Sequence, residues 1–268
     1  MKTKFNLFGG GFQHAKSSTL YKEPEHIIWE YNSNNNDTTF FVDNAIIYGF
    51  QQNNDKTKFG WILESKHIIP EINKICLENT HILKTKYKNI FTHSQDLINL
   101  DNTFYKFAPA NGTWIDKIEI RKKSKLVSMI SSTKYITDGH KKRLELANKF
   151  KNSIDLFGRG FQEIEKKEQG LEDYMFSIVV ENGIYESYFT EKILDCFAVG
   201  TIPVYLGTPD IKKFFNIDGI IMLDDLFDIK NLTEDLYYSK MDAIKENLET
   251  VKKFNIAEDW LYKNYFMD

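Results

Sequence analysis

Cysteine is scarce in this chain. Cys76 and Cys196 are the only two in 268 residues, and they are not spaced as a metal knuckle. That excludes a disulfide scaffold and leaves buried free thiols in a reducing compartment as the simple reading. An excess of one charge is also missing. With 35 basic and 38 acidic side chains, the chain lacks the basic surface of a general nucleic-acid binder. No apolar run approaches the roughly 18 residues a membrane helix needs. The start, MKTKFNLFGGGFQHAKSS, has no apolar core of a signal peptide. The expectation is a soluble, cytoplasmic protein with no transmembrane segment and no nucleic-acid partner. Arginine is rare as well, only Arg121, Arg143 and Arg159. Lysine does not replace arginine at a bidentate anion site, so each of the three is worth inspecting.

Apolar residues make up 42% of the chain and charged ones 27%, which excludes intrinsic disorder. The length suits one large domain or two small ones. Aromatics reach 15%, with 21 Phe and 14 Tyr; they fill cores and also line sugar and nucleotide sites. Short apolar runs bounded by Gly, Asn or Asp predict strands at 4–8, 26–29, 45–48, 59–63 and 89–92. The polar stretch 31–39 reads as a loop, and 68–78 has helical spacing. The segment 109–125, with Pro, Asn and Gly before Arg121-Lys122-Lys123, reads as a solvated linker. Beyond it strands (126–130, 154–157, 176–180, 202–206, 220–223) alternate with helices (139–151, 191–199). That alternation predicts a doubly wound parallel sheet. The charged, then aromatic, tail from 239 predicts a last helix packing on the body. FGGGFQ (8–13) and FGRGFQ (157–162) form a near-repeat of strand-to-turn shape, or a chance one.

The richest stretch is 176–207: a buried strand, a polar loop, a helix start and a second strand. Ligands in open α/β sheets bind at the carboxyl ends of strands. A helix N-terminus offers free N–H groups to a phosphate, and Lys192 adds a full charge there. Glu191 can accept from ribose or sugar hydroxyls, and Tyr188 can pack on a ring. Against this, Thr-Glu-Lys is a common helix start, because Thr caps and Glu suits the first turn. The spacing alone leaves both readings open.

The residues go further than the spacing. Glu181-Asn182, Tyr188 six residues later, Thr190-Glu191-Lys192 and Gly200-Thr-Ile-Pro203-Val-Tyr-Leu-Gly207 resemble the donor-binding motif of family 10 glycosyltransferases, the α1,3/α1,4-fucosyltransferases. Upstream, Lys125–Ser132, Gly139–Arg143 and Ile154–Gly158 follow that family's order of strand, Arg-bearing helix and strand. The resemblance covers about 125–215. In the first half, Glu64-Ser65-Lys66 resembles the family's E-S-P element, with Lys66 where proline is usual. Phe91–Asp96 resembles the segment that follows.

The resemblance implies a GT-B fold, two Rossmann-like α/β domains facing across a cleft. It implies an acceptor-side domain over 1–118, a nucleotide-sugar domain over 119–252 and a helix over 253–268 packing back on the body. Arg143 would grip the pyrophosphate and Lys192 neutralise the departing nucleoside diphosphate. Glu191 and Tyr188 would contact ribose, sugar or phosphate, with Asn182 beside the sugar. Glu64 would be the catalytic base; as a bare residue it is also a plain glutamate at a strand end. His93 could approach the acceptor or serve structure alone. The implied reaction is inverting transfer of fucose from GDP-fucose to a glycan hydroxyl. The alternatives are another GDP-sugar, or a non-catalytic nucleotide-sugar or glycan-binding relative. No permanent cofactor and no essential metal are expected, since no D-x-D motif ends a strand and side chains can supply the positive charge. The resemblance points to a minimal soluble unit of bacterial or viral type.

Overall fold

The computed structural model describes residues 1–12 and 15–267. It forms two compact units: residues 1–112 with 186–188 and 255–268, and residues 113–185 with 189–254. In the first unit the elements run β1 (Thr3–Gly9), β2 (Ile27–Tyr31), β3 (Thr38–Val42), α1 (Ala45–Gln51), β4 (Thr57–Ile62), α2 (Pro70–Leu83), β5 (Asn89–Thr92), α3 (Gln95–Leu100) and β6 (Tyr105–Phe107). The sheet order is β2-β1-β3-β4-β5-β6, with every pairing parallel.

One expectation fails here. Residues 45–48 are the first turn of α1, not a strand, and the strand lies earlier, at 38–42. The cause is topological. β3 and β4 are parallel neighbours, so residues 43–56 must cross over, and a parallel crossover of that length is usually a helix. Of Ala45-Ile46-Ile47-Tyr48 only Ile46 is fully buried, while Ile47 and Tyr48 are exposed, as successive residues of a helix point in different directions.

Aromatics form much of this core. Phe40 lies 5.2 Å from Phe59 and 6.0 Å from Phe91 between ring centroids. Phe5 meets Trp29 and Phe40 at 6.0 and 5.2 Å. Such pairs add about 0.5–1.5 kcal/mol each beyond area burial.

The second unit holds β7 (Lys125–Ile130), α4 (Asp138–Phe150), β8 (Asp155–Phe157), β9 (Tyr174–Val180), α5 (Glu191–Ala198), β10 (Ile202–Leu206), β11 (Ile221–Met222), α6 (Glu234–Ser239) and α7 (Met241–Val251). Its parallel sheet runs β11-β10-β9-β7-β8. β9 is central and all seven of its residues are buried, which is why Tyr-Met-Phe-Ser-Ile-Val-Val reads as one apolar run. α5 ends in a Schellman turn: Thr201 N donates to Cys196 O (2.9 Å) and Gly200 N to Phe197 O (3.2 Å). Gly200 takes the left-handed conformation this needs, at φ +72°.

The expected linker is not a free connection. Glu119 N and Arg121 N donate to Ala198 O and Val199 O at 3.0 and 3.1 Å. Lys123 is buried, and its Nζ donates to Glu172 O, Val199 O and Thr201 Oγ1 at 2.8–2.9 Å. Three acceptors converging on one ammonium explain how a lysine from a basic cluster is drawn inside.

The last helix, α8 (Ala257–Tyr265), belongs to the first unit. Buried Glu258 accepts from Ser18 N (2.6 Å) and Trp29 Nε1 (3.3 Å), and Asp259 accepts from Glu25 N and His26 N. Asp268 lies outside the described residues. So does Gln13, the last residue of the near-repeat. Of the aligned positions in that near-repeat only Gly9 and Gly158 share a positive φ (+77° and +105°); Gly10 has one opposite Arg159, and Gly160 has one opposite Gly11, which does not.

Candidate functional site

In the second unit the carboxyl ends of β7 and β9 and the start of α5 line a cavity of about 280 Å³, near the lower bound for small-molecule sites. Ser131, Ser132, Val180, Arg143, Glu191 and Lys192 are among its walls.

The position of Arg143 follows from the start of α4. Thr137 caps that helix: its Oγ1 accepts from His140 N, and His140 Nδ1 accepts from Thr137 N, both at 3.3 Å. Burial, then the Arg143 charge, pushes the His140 ring down to about 4, so it stays a neutral acceptor. Gly139 lets this turn approach β9; a Cβ there would stand 2.1 Å from Glu181 O. One turn on, buried Arg143 donates from Nε and Nη2 to Val180 O (3.2 and 2.6 Å) and from Nη2 to Asn182 Oδ1 (2.9 Å). Gly139→Ala is therefore expected to cost ~1–3 kcal/mol and to displace the Arg143 helix. Thermal unfolding should show a lower midpoint.

At α5, fully buried Glu181 accepts from Thr190 N (2.9 Å) and Thr190 Oγ1 (2.8 Å). Lys192 Nζ donates to Thr190 Oγ1 at 2.9 Å and lies 3.4 Å from Glu181 Oε2 and 3.5 Å from Glu191 Oε1. Burial alone would raise the Glu191 carboxyl. Lys167 and then Lys192 outweigh it, holding the group well below the usual carboxylate range. Arg143, Asn182, Glu191 and Lys192 thus lie together in one unit.

Tyr188 and residues 186–187 group with the first unit instead. The Tyr188 side chain is buried, its ring 4.8 Å from His93, and Ser187 Oγ donates to Gln95 Oε1 at 3.2 Å. His93 is buried too, with Nε2 3.3 Å from Glu64 O. Burial lowers its ring to about 4. So His93 supports the Glu64 loop as a neutral ring; it is not presented to solvent.

Glu64 follows β4 at the carboxyl end of the first sheet, beside Asp43 after β3 and His93 after β5. Its Oε1 accepts from Ser65 N at 2.8 Å. Its own N–H and that of Leu63 donate to Asp43 Oδ1 at 3.1 and 2.9 Å. Asp43 sits at φ +51°, a region Asp tolerates better than most residues. Lys66, in place of the usual proline, pairs with Asp96 at 2.5 Å.

Burial pushes the Asp43 carboxyl from 3.8 up to about 6, the Glu64 charge adding and the two N–H bonds opposing. A carboxyl raised on folding stabilises fully below its unfolded value, and that stabilisation fades as pH rises through the folded value. Asp43→Asn removes this loss. Thermal unfolding should favour the variant more at pH 7 than at pH 4 relative to wild type.

Residues 120–255 match the family model described as glycosyltransferase family 10 (fucosyltransferase), C-terminal part. The chain belongs to glycosyltransferase family 10. Among curated relatives, the alpha-(1,3)-fucosyltransferase FucT of Helicobacter pylori is 35% identical over 101 residues. That match spans 38% of this chain and 19% of the relative. A crystal structure of an alpha1,3-fucosyltransferase superposes with TM-score 0.54 at 14% identity, covering 99% of this chain and 89% of that one. One titled as containing GDP-fucose gives 0.51 at 12% identity, over 92% and 81%. The fold is of GT-B type, with one parallel-sheet α/β unit in each half of this family 10 chain.

Sequence reasoning passed over Lys167 and Asp195, both on the cavity wall. A signal existed for Asp195. Glu191 and Asp195 stand four apart on one helix, a like-charge spacing that is unfavourable without a cation between them. Nothing in the sequence singled out Lys167 from its charged neighbours. Among the described residues no helix is long and apolar enough to cross a membrane.

Proposed function

We propose that this protein transfers fucose from GDP-fucose to a glycan hydroxyl with inversion at the anomeric carbon. The observation that carries the reading is the cavity in which Arg143, Glu191 and Lys192 converge at the strand ends of the family-matched unit. The GDP-fucose named for a structural neighbour supports the choice of donor. Arg143, with a planar fork of donors, binds diphosphate oxygens. Lys192 exchanges its carboxylate partners for the leaving group. Asn182, held by Arg143, lies beside the donor sugar. These side chains supply positive charge where it develops on the departing diphosphate. The reaction on this reading needs no further cation.

In the chemical step the acceptor oxygen bonds to the anomeric carbon as the bond from that carbon to the β-phosphate oxygen breaks. GDP leaves with the bonding electron pair. The acceptor proton passes to the Glu64 carboxylate, which acts as general base. His93 steadies the Glu64 loop from below.

A donor panel tests this. GDP release from GDP-fucose, GDP-mannose and UDP-galactose is followed with and without a set of glycan acceptors. Acceptor-stimulated release from GDP-fucose alone is the expected result. Preference for GDP-mannose would show that the sugar is misassigned. Binding without release from any donor would favour a non-catalytic nucleotide-sugar binder.

A further inference from the structure

Lys167 opens a short 3-10 turn, Lys167–Gly170. Its Nζ lies 3.1 Å from Glu191 Oε1 and 3.0 Å from Asp195 Oδ2, and 4.0 Å from the centre of the Trp114 ring. All four side chains line the cavity. The other Asp195 oxygen accepts from Thr113 Oγ1 (2.8 Å) and Trp114 N (2.7 Å). One ammonium therefore ties α5 to the chain segment that carries Trp114. The turn itself is closely packed: a Cβ on Gly170 would stand 2.9 Å from Ile130 Cγ1. Asp195 and Glu191 outweigh burial and keep Lys167 charged.

Two lysines thus meet one oxygen of Glu191, Lys167 at 3.1 Å and Lys192 at 3.5 Å. Only Lys192 is assigned to the diphosphate. When it turns to that group, Lys167 remains to hold Glu191 charged and oriented. An ionised carboxylate only accepts hydrogen bonds, so its ligand partner must be a donor and not a phosphate. Glu191 adjoins the diphosphate-binding lysine, and in a nucleoside diphosphate the group next to the diphosphate is the ribose.

We propose that Lys167 is a positioning residue of the donor site, fixing Glu191 as the acceptor for the ribose hydroxyls of a nucleoside diphosphate. The proposal rests on the donor-site reading above. The test is calorimetric titration of the full chain with GDP and with 2′,3′-dideoxy-GDP. Lys167→Met should weaken GDP binding about tenfold or more yet leave dideoxy-GDP binding unchanged. Lys167→Arg, which keeps the charge, should recover most of the loss. In a Glu191→Gln background, Lys167→Met should add little. Should Lys167→Met not fold, Lys167→Gln carries the same comparison of the two ligands.

An equal loss for both ligands, an equal loss in both backgrounds, or no loss overturns the proposal. Wild-type protein that binds neither ligand overturns the donor-site reading and this proposal with it. Wild-type binding with an indifferent variant overturns this proposal alone.

Discussion

Glu64→Gln is expected to lower acceptor-dependent fucose transfer about 10²- to 10⁴-fold while GDP affinity stays at the wild-type value. The substitution keeps size and the acceptor for Ser65 N, 2.8 Å away in the native chain, so the loop should hold. What it removes is a carboxylate able to take a proton. A hydroxyl is a poor nucleophile at neutral pH, and without a proton acceptor its attack slows. GDP binding should not change, because the cavity wall is made of second-unit residues. Steady-state kinetics with a GDP titration separates the two readouts. Unchanged turnover removes Glu64 from the mechanism. Parallel loss of turnover and GDP affinity would instead make it a structural residue.

Arg143→Lys is expected to weaken GDP binding about 10- to 150-fold, the equivalent of one or more hydrogen bonds to a charged group at ~1.5–3 kcal/mol. Charge is conserved in this change, so simple neutralisation of the diphosphate survives. The planar fork does not. The same guanidinium also holds Val180 O and Asn182 Oδ1, and the shorter reach and single nitrogen of lysine do not reproduce that bracing together with a bidentate grip on a diphosphate. Turnover should fall too, because charge grows on the leaving group during the reaction. Calorimetry on the folded variant, checked by its thermal midpoint, reads the effect. Affinity equal to wild type would reduce Arg143 to a brace for the β9 loop.

The alternation of strands and helices after residue 125 was legible because parallel strands buried on both faces appear as unbroken apolar runs. β9, α5 and β10 fall where the pattern places them, and Gly200 ends α5 through the conformation its lack of a side chain permits. The first half was harder. α1 is as apolar as a strand, and only the parallel order of β3 and β4 decides its state, a long-range fact that no window of sequence contains. Lys123 was hidden for a similar reason: it looks solvated beside Arg121 and Lys122, and its three acceptors come from other segments.

The cavity shows the same division. Arg143, Glu191 and Lys192, singled out by the resemblance, line the cavity, and Asn182 bonds Arg143. Tyr188, read from the same motif, groups with the first unit, its ring buried against His93. Lys167 and Asp195 show themselves only when the fold sets one ammonium between two carboxylates. Glu181 stood in the motif, yet its part is to anchor Thr190 and Lys192.

We propose that the second unit binds a guanosine diphosphate through Arg143, Glu191 and Lys192. Calorimetric titration of the purified protein with GDP, GDP-fucose and UDP tests it most directly. GDP and GDP-fucose are expected to bind, GDP-fucose at least as tightly, and UDP is not. No heat of binding from either GDP compound at high concentration would contradict it.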